Sequence, residues 1–101
     1  ALDLAADNIR VNTVVPAETW TPLYAELIDQ SENPAAARQQ IEDIIPLGKR
    51  FTTSQEIADM VVFLASQRSL HTTGQIHYVD GGYTHLDRKY TSNSDRVDLS
   101  K

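Results

Sequence analysis

The chain has 101 residues, enough for one small domain. Its formal net charge of −5 argues against nucleic acid and anionic membranes as partners, because both are bound through clusters of lysine and arginine. The absence of cysteine excludes disulfides and thiolate chemistry, so the reducing cytoplasm is the expected location. No apolar run approaches the ~20 residues of a membrane-spanning helix, and no membrane partner is expected.

The first elements in chain order are a short helix and a strand. Residues 1–7 have the composition of a helix end, and Asn8 suits the left-handed conformation that terminates helices. Residues 9–15, IRVNTVV, are rich in β-branched side chains, which favours a strand closed by Pro16. Because a helix is already under way at Ala1, we expect the chain to begin inside a larger structure.

Three helices are predicted in the middle of the chain. Thr21-Pro22 and Asn33-Pro34 each combine a capping side chain with a proline at the first helical position, where the missing N–H has no cost. Thr53 and Glu56 have the spacing of a capping box. An apolar stripe at helical spacing follows the box, and we expect it to face the core. Its members are Ile57, Met60, Val61 and Leu64.

The last predicted elements are a strand, a turn and a polar tail. Residues 75–80, QIHYVD, alternate as a strand does, and Gly81-Gly82 predict a turn. Asp80 and these glycines are interpreted as a turn device rather than a binding site. From about residue 90 the periodicity is lost, and this tail is expected to be mobile.

Two strands joined by helices predict an α/β fold with parallel strands. Parallel sheets need several strands and cover on both faces. We therefore interpret the chain as the end of a larger α/β sheet.

The usual catalytic motifs are missing. The four glycines cannot make a dinucleotide-binding fingerprint or a P-loop, and no G-x-S-x-G sequence occurs. The three histidines, His71, His77 and His85, are not at i, i+4 spacing, so no metal site is expected.

Three segments in order, IRVNTVVPAETWTP, IPLGKRFTTSQEIADMVVFLAS and TTGQIHYVDGG, resemble the C-terminal part of short-chain dehydrogenases/reductases. The resemblance runs over residues 1–82 and implies a C-terminal fragment of a Rossmann-type doubly wound parallel sheet, with its last two strands and crossover helices. Residues 83–101 are then a C-terminal extension. PAETWTPLY, RFTTSQEIAD and DGGYTHLDR are most similar to bacterial sugar dehydrogenases of the L-fucose dehydrogenase type.

The resemblance implies NAD or NADP as cofactor, without choosing between them, and a Tyr-x-x-x-Lys pair as the catalytic centre. No tyrosine of this chain has a lysine four residues later, so no catalytic residue is assigned. The chain alone is expected to be inactive. The family's last helix and strand commonly meet a neighbouring subunit, so a homo-oligomer, dimer or tetramer, is expected.

The same resemblance assigns the loop after the first strand to the nicotinamide edge of the cofactor site. Pro16, Ala17, Thr19 and Thr21 are the predicted cofactor-binding residues, although Ala17 departs from the family's usual glycine. The predicted substrate-binding residues, on a segment that is often a lid, are Glu18, Trp20, Leu23 and Tyr24.

Simpler interpretations of these residues stay open. Thr21 is in any case a helix cap, Trp20 could anchor a core, and Glu18 could be a solvated carboxylate.

Two functions remain in competition. The first is part of an NAD(P)-dependent oxidoreductase that oxidises a secondary alcohol, a sugar or polyol such as L-fucose, to a carbonyl. The second is a non-catalytic remnant or interaction module that uses the subunit interface.

Overall fold

The computed structural model describes residues 1–86, so the tail predicted to be mobile from about residue 90 lies outside the described residues. Its elements in chain order are α1 (Leu2–Ala5), β1 (Thr13–Pro16), β2 (Thr19–Trp20), α2 (Pro22–Asp29), α3 (Pro34–Ile44), β3 (Thr52–Thr53), α4 (Ser54–Ala65) and β4 (Ile76–Val79). Two single turns of 3₁₀ helix, Gln67–Ser69 and Tyr83–His85, follow α4 and β4. Asn8 has a φ of +59°, which confirms its prediction as the residue that ends the first helix.

The main sheet consists of β1 and β4, which pair in parallel as predicted. Their register runs from Thr13 opposite Ile76 to Pro16 opposite Val79. The strand begins later than the sequence indicates, at Thr13 instead of residue 9. Before the strand begins, the Asn12 side chain joins the chain to the segment that precedes β4. Its amide group donates to the Thr72 carbonyl (2.9 Å), and its oxygen accepts from the Gln75 N–H (3.1 Å). This side-chain bridge replaces part of the backbone ladder.

A second parallel pair, which the sequence does not predict, joins β2 to β3. Thr19 lies opposite Thr52 and Trp20 opposite Thr53, and the Thr52 N–H donates to the Glu18 carbonyl at 3.0 Å. The pair ties the loop that follows β1 to the beginning of α4, and so holds that loop over the carboxyl end of the main sheet.

The predicted helix starts are confirmed, each by its own side-chain cap. Thr21 accepts from the Tyr24 N–H (3.2 Å), and Asn33 accepts from the Ala36 N–H (3.2 Å). At α4 the capping box is complete in both directions. Its Glu56 also holds Arg50 through two hydrogen bonds of 2.7 and 2.9 Å. Arg50 and the backbone N–H of Thr53 lower the pKa of Glu56 to about 2.

The buried apolar core of the described chain is small: Ile28, Ile45, Phe51 and Leu64. The stripe on α4 contributes Leu64 to it, but the prediction that the whole stripe faces the core is wrong for Val61, which is 49% exposed. Val61 lines two open cavities instead, one that includes Val14 and one that includes Pro16. Only β1 and β4 lie beneath α4 in the described chain, and two strands are too narrow to cover the full width of its apolar face.

The turn after β4 is built around the buried Asp80. Its carboxylate accepts from the Gly82 N–H (2.9 Å), the Thr84 N–H (2.9 Å) and the Thr84 hydroxyl (2.7 Å). Burial alone would raise the pKa of Asp80, but these hydrogen bonds outweigh it and lower that pKa below its ordinary value. Gly81 has a φ of +62°, and a Cβ there would lie 3.1 Å from Ile45 Cγ2. The interpretation of Asp80, Gly81 and Gly82 as a turn device is confirmed.

Candidate functional site

The segment of residues 16–24 directs its side chains to two sides. Successive residues of an extended strand point to opposite faces. Accordingly Thr19 and Thr21 line a cavity against α4, whereas Trp20 packs on the other side, against α2 and the residue that precedes β3. The predicted cofactor-binding threonines thereby lie on the opposite side of the chain from the predicted substrate-binding tryptophan, within three consecutive residues.

The cavity on the threonine side has a volume of about 520 Å³ and almost entirely apolar walls. It is lined by Pro16, Thr19, Thr21 and the α4 residues Ser54, Ile57, Ala58, Val61 and Val62. The Oγ1 of Thr19 is shielded from solvent and has no hydrogen-bond partner in the described structure. Such an atom is costly unless a bound group satisfies it. Thr21 accepts one hydrogen bond as a cap, and a hydroxyl that accepts can still donate.

Ala17 occupies the position where the resemblance expects glycine. Within residues 1–86 the non-glycine residues with positive φ are Asn8 and Lys49. The loop therefore passes position 17 without the left-handed conformation that favours glycine, and an alanine is accommodated there.

On the opposite side, Glu18 and Tyr24 form a carboxylate–phenol pair. The Tyr24 hydroxyl donates a hydrogen bond to Glu18 Oε2. Burial of the phenol, together with the hydrogen bond and the negative charge of Glu18, raises the pKa of Tyr24 to about 12. The phenol is thus held neutral, as a donor, over the whole physiological range of pH.

The Tyr24 ring of this pair packs against two further aromatic rings, Trp20 and Phe51. Phe51 meets Trp20 edge-on at 5.0 Å and Tyr24 edge-on at 4.9 Å between ring centroids, and Trp20 and Tyr24 are stacked at 6.3 Å. We call Trp20, Tyr24 and Phe51 the aromatic cluster. The guanidinium of Arg38, on α3, lies 4.1 Å from the centroid of the Trp20 ring.

The structure brings some of the predicted site residues together and adds two that the sequence does not predict. Glu18, Trp20 and Tyr24 do meet, whereas Leu23 is 65% exposed at the beginning of α2. Phe51 and Arg38 were not predicted, because Phe51 lies in a connector and Arg38 on a helix with no binding motif. The signal for Phe51 is an aromatic residue two positions before the helix cap at Thr53, which is too weak to place it.

Other kinds of site find no support in the described chain. Residues 1–86 contain no group of three or more His, Asp or Glu side chains that could hold a metal ion. No helix among them is long and apolar enough to cross a membrane.

Comparison with known proteins assigns the fold to a family. A family model described as enoyl-(acyl carrier protein) reductase matches residues 1–84. The structure also matches the crystal structure of a short-chain dehydrogenase family protein from Francisella tularensis, with a TM-score of 0.78 and 43% identity over 85% of this chain and 37% of that chain. The chain belongs to the short-chain dehydrogenase/reductase family.

Other members of the family are similarly close. The crystal structure of the Cj0485 dehydrogenase matches with a TM-score of 0.84 and 49% identity, over 89% of this chain and 35% of that one. Glucose 1-dehydrogenase of Gluconobacter oxydans is 44% identical over 83% of this chain and 30% of that protein. The 3-oxoacyl-(acyl-carrier-protein) reductase FabG of Thermotoga maritima is 42% identical over 81% of this chain and 30% of that protein.

These matches confirm the predicted family and the α/β class with parallel, Rossmann-type strands. The chain spans about 30% of the length of the curated relatives it matches. Short-chain dehydrogenases/reductases use NAD or NADP. The residues present here fit the carboxamide end of such a cofactor, since Thr19, whose hydroxyl has no partner in the described structure, lines an apolar cavity of about 520 Å³.

Proposed function

We propose that this chain is the C-terminal part of an NAD(P)-dependent dehydrogenase that oxidises a secondary alcohol of a sugar or polyol, with L-fucose as the first candidate. The observation that carries the proposal is the two-sided segment of residues 16–24. One side offers an apolar cavity with two threonine hydroxyls, and the other offers a carboxylate and a phenol beside aromatic rings. The family membership supplies the reaction class.

On the cofactor side, Pro16, Ala17, Thr19 and Thr21 would hold the nicotinamide end. When bound, the cofactor supplies the acceptor for the hydride that leaves the carbinol carbon. The Thr19 hydroxyl would bind the carboxamide, and Thr21 would donate to it while its oxygen continues to cap α2. The apolar face of α4 would exclude water from the ring.

On the substrate side, Glu18, Trp20, Leu23 and Tyr24 would contact the sugar. Hydroxyl groups are bound well by a carboxylate acceptor next to a phenol donor, and Glu18 and Tyr24 provide both. Tyr24 is not proposed as a catalytic acid or base, because its raised pKa opposes loss of its proton at neutral pH.

Reduction of NAD and of NADP by the full-length protein, measured by absorbance with a panel of alcohols, tests the reaction and the substrate class. We expect turnover with L-fucose or a related sugar, and none from residues 1–101 alone. If the protein instead reduces only 3-oxoacyl thioesters, the sugar proposal is wrong, and the absence of turnover with any substrate would refute the dehydrogenase.

A Thr19→Val variant tests the cofactor role without relying on turnover. Valine keeps the shape of threonine and removes the unpartnered oxygen. We expect the variant to melt slightly higher than the wild type without cofactor and to bind NAD(P)H about three- to ten-fold more weakly, as one lost hydrogen bond predicts. Thr19→Ser is the matched control and should retain affinity. Unchanged affinity in the valine variant would contradict the assignment.

A homo-oligomer formed through α4 and β4 is proposed as well. Phe63 on α4, and Ile76 and Tyr78 on β4, are exposed apolar residues of the described chain. The same exposure favours the competing function, a non-catalytic interaction module. Sedimentation of the full-length protein, with Phe63→Ser as the disrupting variant, measures the oligomeric state, and turnover and cofactor binding then distinguish the two functions. An active oligomer supports the enzyme, and an oligomer without cofactor binding supports the interaction module.

A further inference from the structure

Arg38 stands out because two neighbouring groups hold its side chain although about half of that side chain is exposed. Its side chain is 49% exposed, which for an arginine normally means freedom to move. Here the Nε donates to Glu42 Oε1 at 2.6 Å, one helical turn further along α3. The central carbon of the guanidinium lies over the Trp20 ring, 4.1 Å from its centroid.

This arrangement suits an arginine and no other cation of the common set. A guanidinium is flat and delocalised, so it can stack on an indole while its edge binds a carboxylate. A lysine ammonium at the same place would offer a point charge with no plane to stack. The i, i+4 spacing of Arg38 and Glu42 on the helix fixes the direction of the side chain before it reaches Trp20.

Trp20 transmits the contact to the cavity. It belongs to β2 together with Thr19, whose side chain points the other way, toward the cavity. A two-residue strand has one backbone orientation, so holding the indole on one face also holds the threonine on the other. Arg38 is not among the residues that line the cavity, and in the described chain its side chain bonds to Glu42 rather than to Glu18 or Tyr24. Its effect on both sides of β2 therefore passes through Trp20.

We propose that Arg38 is a positioning residue, which fixes Trp20 and thereby orients β2 toward both the cofactor and the substrate. The inference rests on the proposed function, since it assigns Arg38 a part in that same site. Loss of the contact weakens the binding of substrate and cofactor more than it slows the chemical step, because no reacting atom is touched.

The test is a double-mutant cycle in the full-length protein with Arg38→Gln and Trp20→Leu. In the wild-type background, Arg38→Gln should raise the KM for the alcohol and the KM for the cofactor about two- to five-fold each, the size expected for one exposed cation–π contact. It should change kcat less than about two-fold. In the Trp20→Leu background the same substitution should change the KM by less than about 1.5-fold, because Arg38 has nothing left to act through.

Matched variants separate charge from stacking. Arg38→Lys keeps the charge and should recover less than half of the loss. Glu42→Gln removes the group that orients the guanidinium and should give a smaller effect in the same direction. Arg68→Gln removes an exposed arginine on the turn after α4 and should leave both kinetic constants unchanged.

A second cycle, on the thermal midpoint, reads the contact independently of turnover. Arg38→Gln should lower the midpoint by about 2–4 °C with Trp20 present and by much less without it. Equal shifts of the thermal midpoint in both backgrounds would show that Arg38 makes no stabilising contact with Trp20. Coupled midpoints with an unchanged KM overturn the positioning role and leave Arg38 structural. If no alcohol is oxidised, the proposed function fails and the positioning role fails with it, while the midpoint cycle still decides whether the contact exists.

Discussion

Replacing Tyr24 by phenylalanine removes a single oxygen and leaves the ring in place against Trp20 and Phe51. The lost oxygen is the donor to Glu18 and the group with the raised pKa. The variant therefore isolates the carboxylate–phenol pair from the aromatic packing that surrounds it.

The contribution of this proton to the free energy of unfolding follows from the rise in the pKa of Tyr24. The pKa of Tyr24 rises from the ordinary value of 10.0 to about 12. A rise of two pKa units corresponds to at most about 2.7 kcal/mol of stability. Because the ring is partly exposed, screening by solvent reduces this contribution to about 1 kcal/mol. The folded protein holds this proton more tightly than the unfolded chain does. The stability is therefore fully present below pH 10 and is lost as the pH rises toward 12.

Difference titration of phenol absorbance in the full-length protein measures the pKa directly. Stopped-flow jumps to alkaline pH read the ionisation before the protein unfolds. Subtracting the Tyr24→Phe titration from the wild type should leave one phenol with a midpoint near pH 12. In Glu18→Gln the midpoint should fall only part of the way toward 10, because burial, the largest cause of the shift, remains.

Tyr78→Phe is the control, since it removes an exposed phenol from β4 and should leave the component near pH 12 intact. A midpoint that is the same in the wild type and in Glu18→Gln would show that Tyr24 is not bound to Glu18. It would refute the description of this side of the segment as a preformed pair.

Three further predictions concern the fold. Thr53→Ala removes half of the capping box of α4 and should lower the free energy of unfolding by about 1 kcal/mol, seen as a lower urea midpoint. Gly81→Ala should cost about 1–3 kcal/mol in the same assay, because of its positive φ and the close approach of Ile45. Glu56→Gln should flatten the loss of thermal stability between pH 4.5 and pH 2, since stability from a lowered pKa is present above the ordinary value and disappears as the pH falls through the folded one.

Each of these three substitutions has a matched control. Ser54→Ala, beside the cap, should change the urea midpoint by less than half as much as Thr53→Ala. Gly48→Ala meets the same backbone strain, with a φ of +79°, but nothing nearer than 3.5 Å, so it should cost less than Gly81→Ala. Glu26→Gln, on the exposed side of α2, should leave the acid limb unchanged. Equal effects in any pair would contradict the reason given for its first member.

Local chemistry explains what the sequence could predict. The caps at Thr21, Asn33 and Thr53 depend on residues within three positions of each other, and all three are confirmed. The turn at Asp80 is local in the same sense. The parallel pairing of β1 and β4 followed from the order of elements alone.

What was missed depends on residues distant in the sequence. The β2–β3 pair joins positions 33 apart along the chain, from Thr19 to Thr52, and neither strand has a pattern of its own. The contact of Arg38 with Trp20 needs the packing of α3 against the loop, which no short-range rule supplies. The resemblance indicated which side chains of residues 16–24 belong to the site, but the division of these residues between two faces required the structure. Their cofactor and substrate roles stay predictions.

The alternation of Thr19 and Trp20 on β2 also bears on how such a site can diverge. Because both residues share one two-residue strand, a substitution at position 20 that loosens the indole also loosens the threonine on the other face, and the two faces cannot diverge independently. A one-residue shift in the register of Thr19 against Thr52 would rotate the strand by half a period and turn the indole toward the cavity. Changes of side chain and changes of length in this segment are therefore both felt on the two faces together.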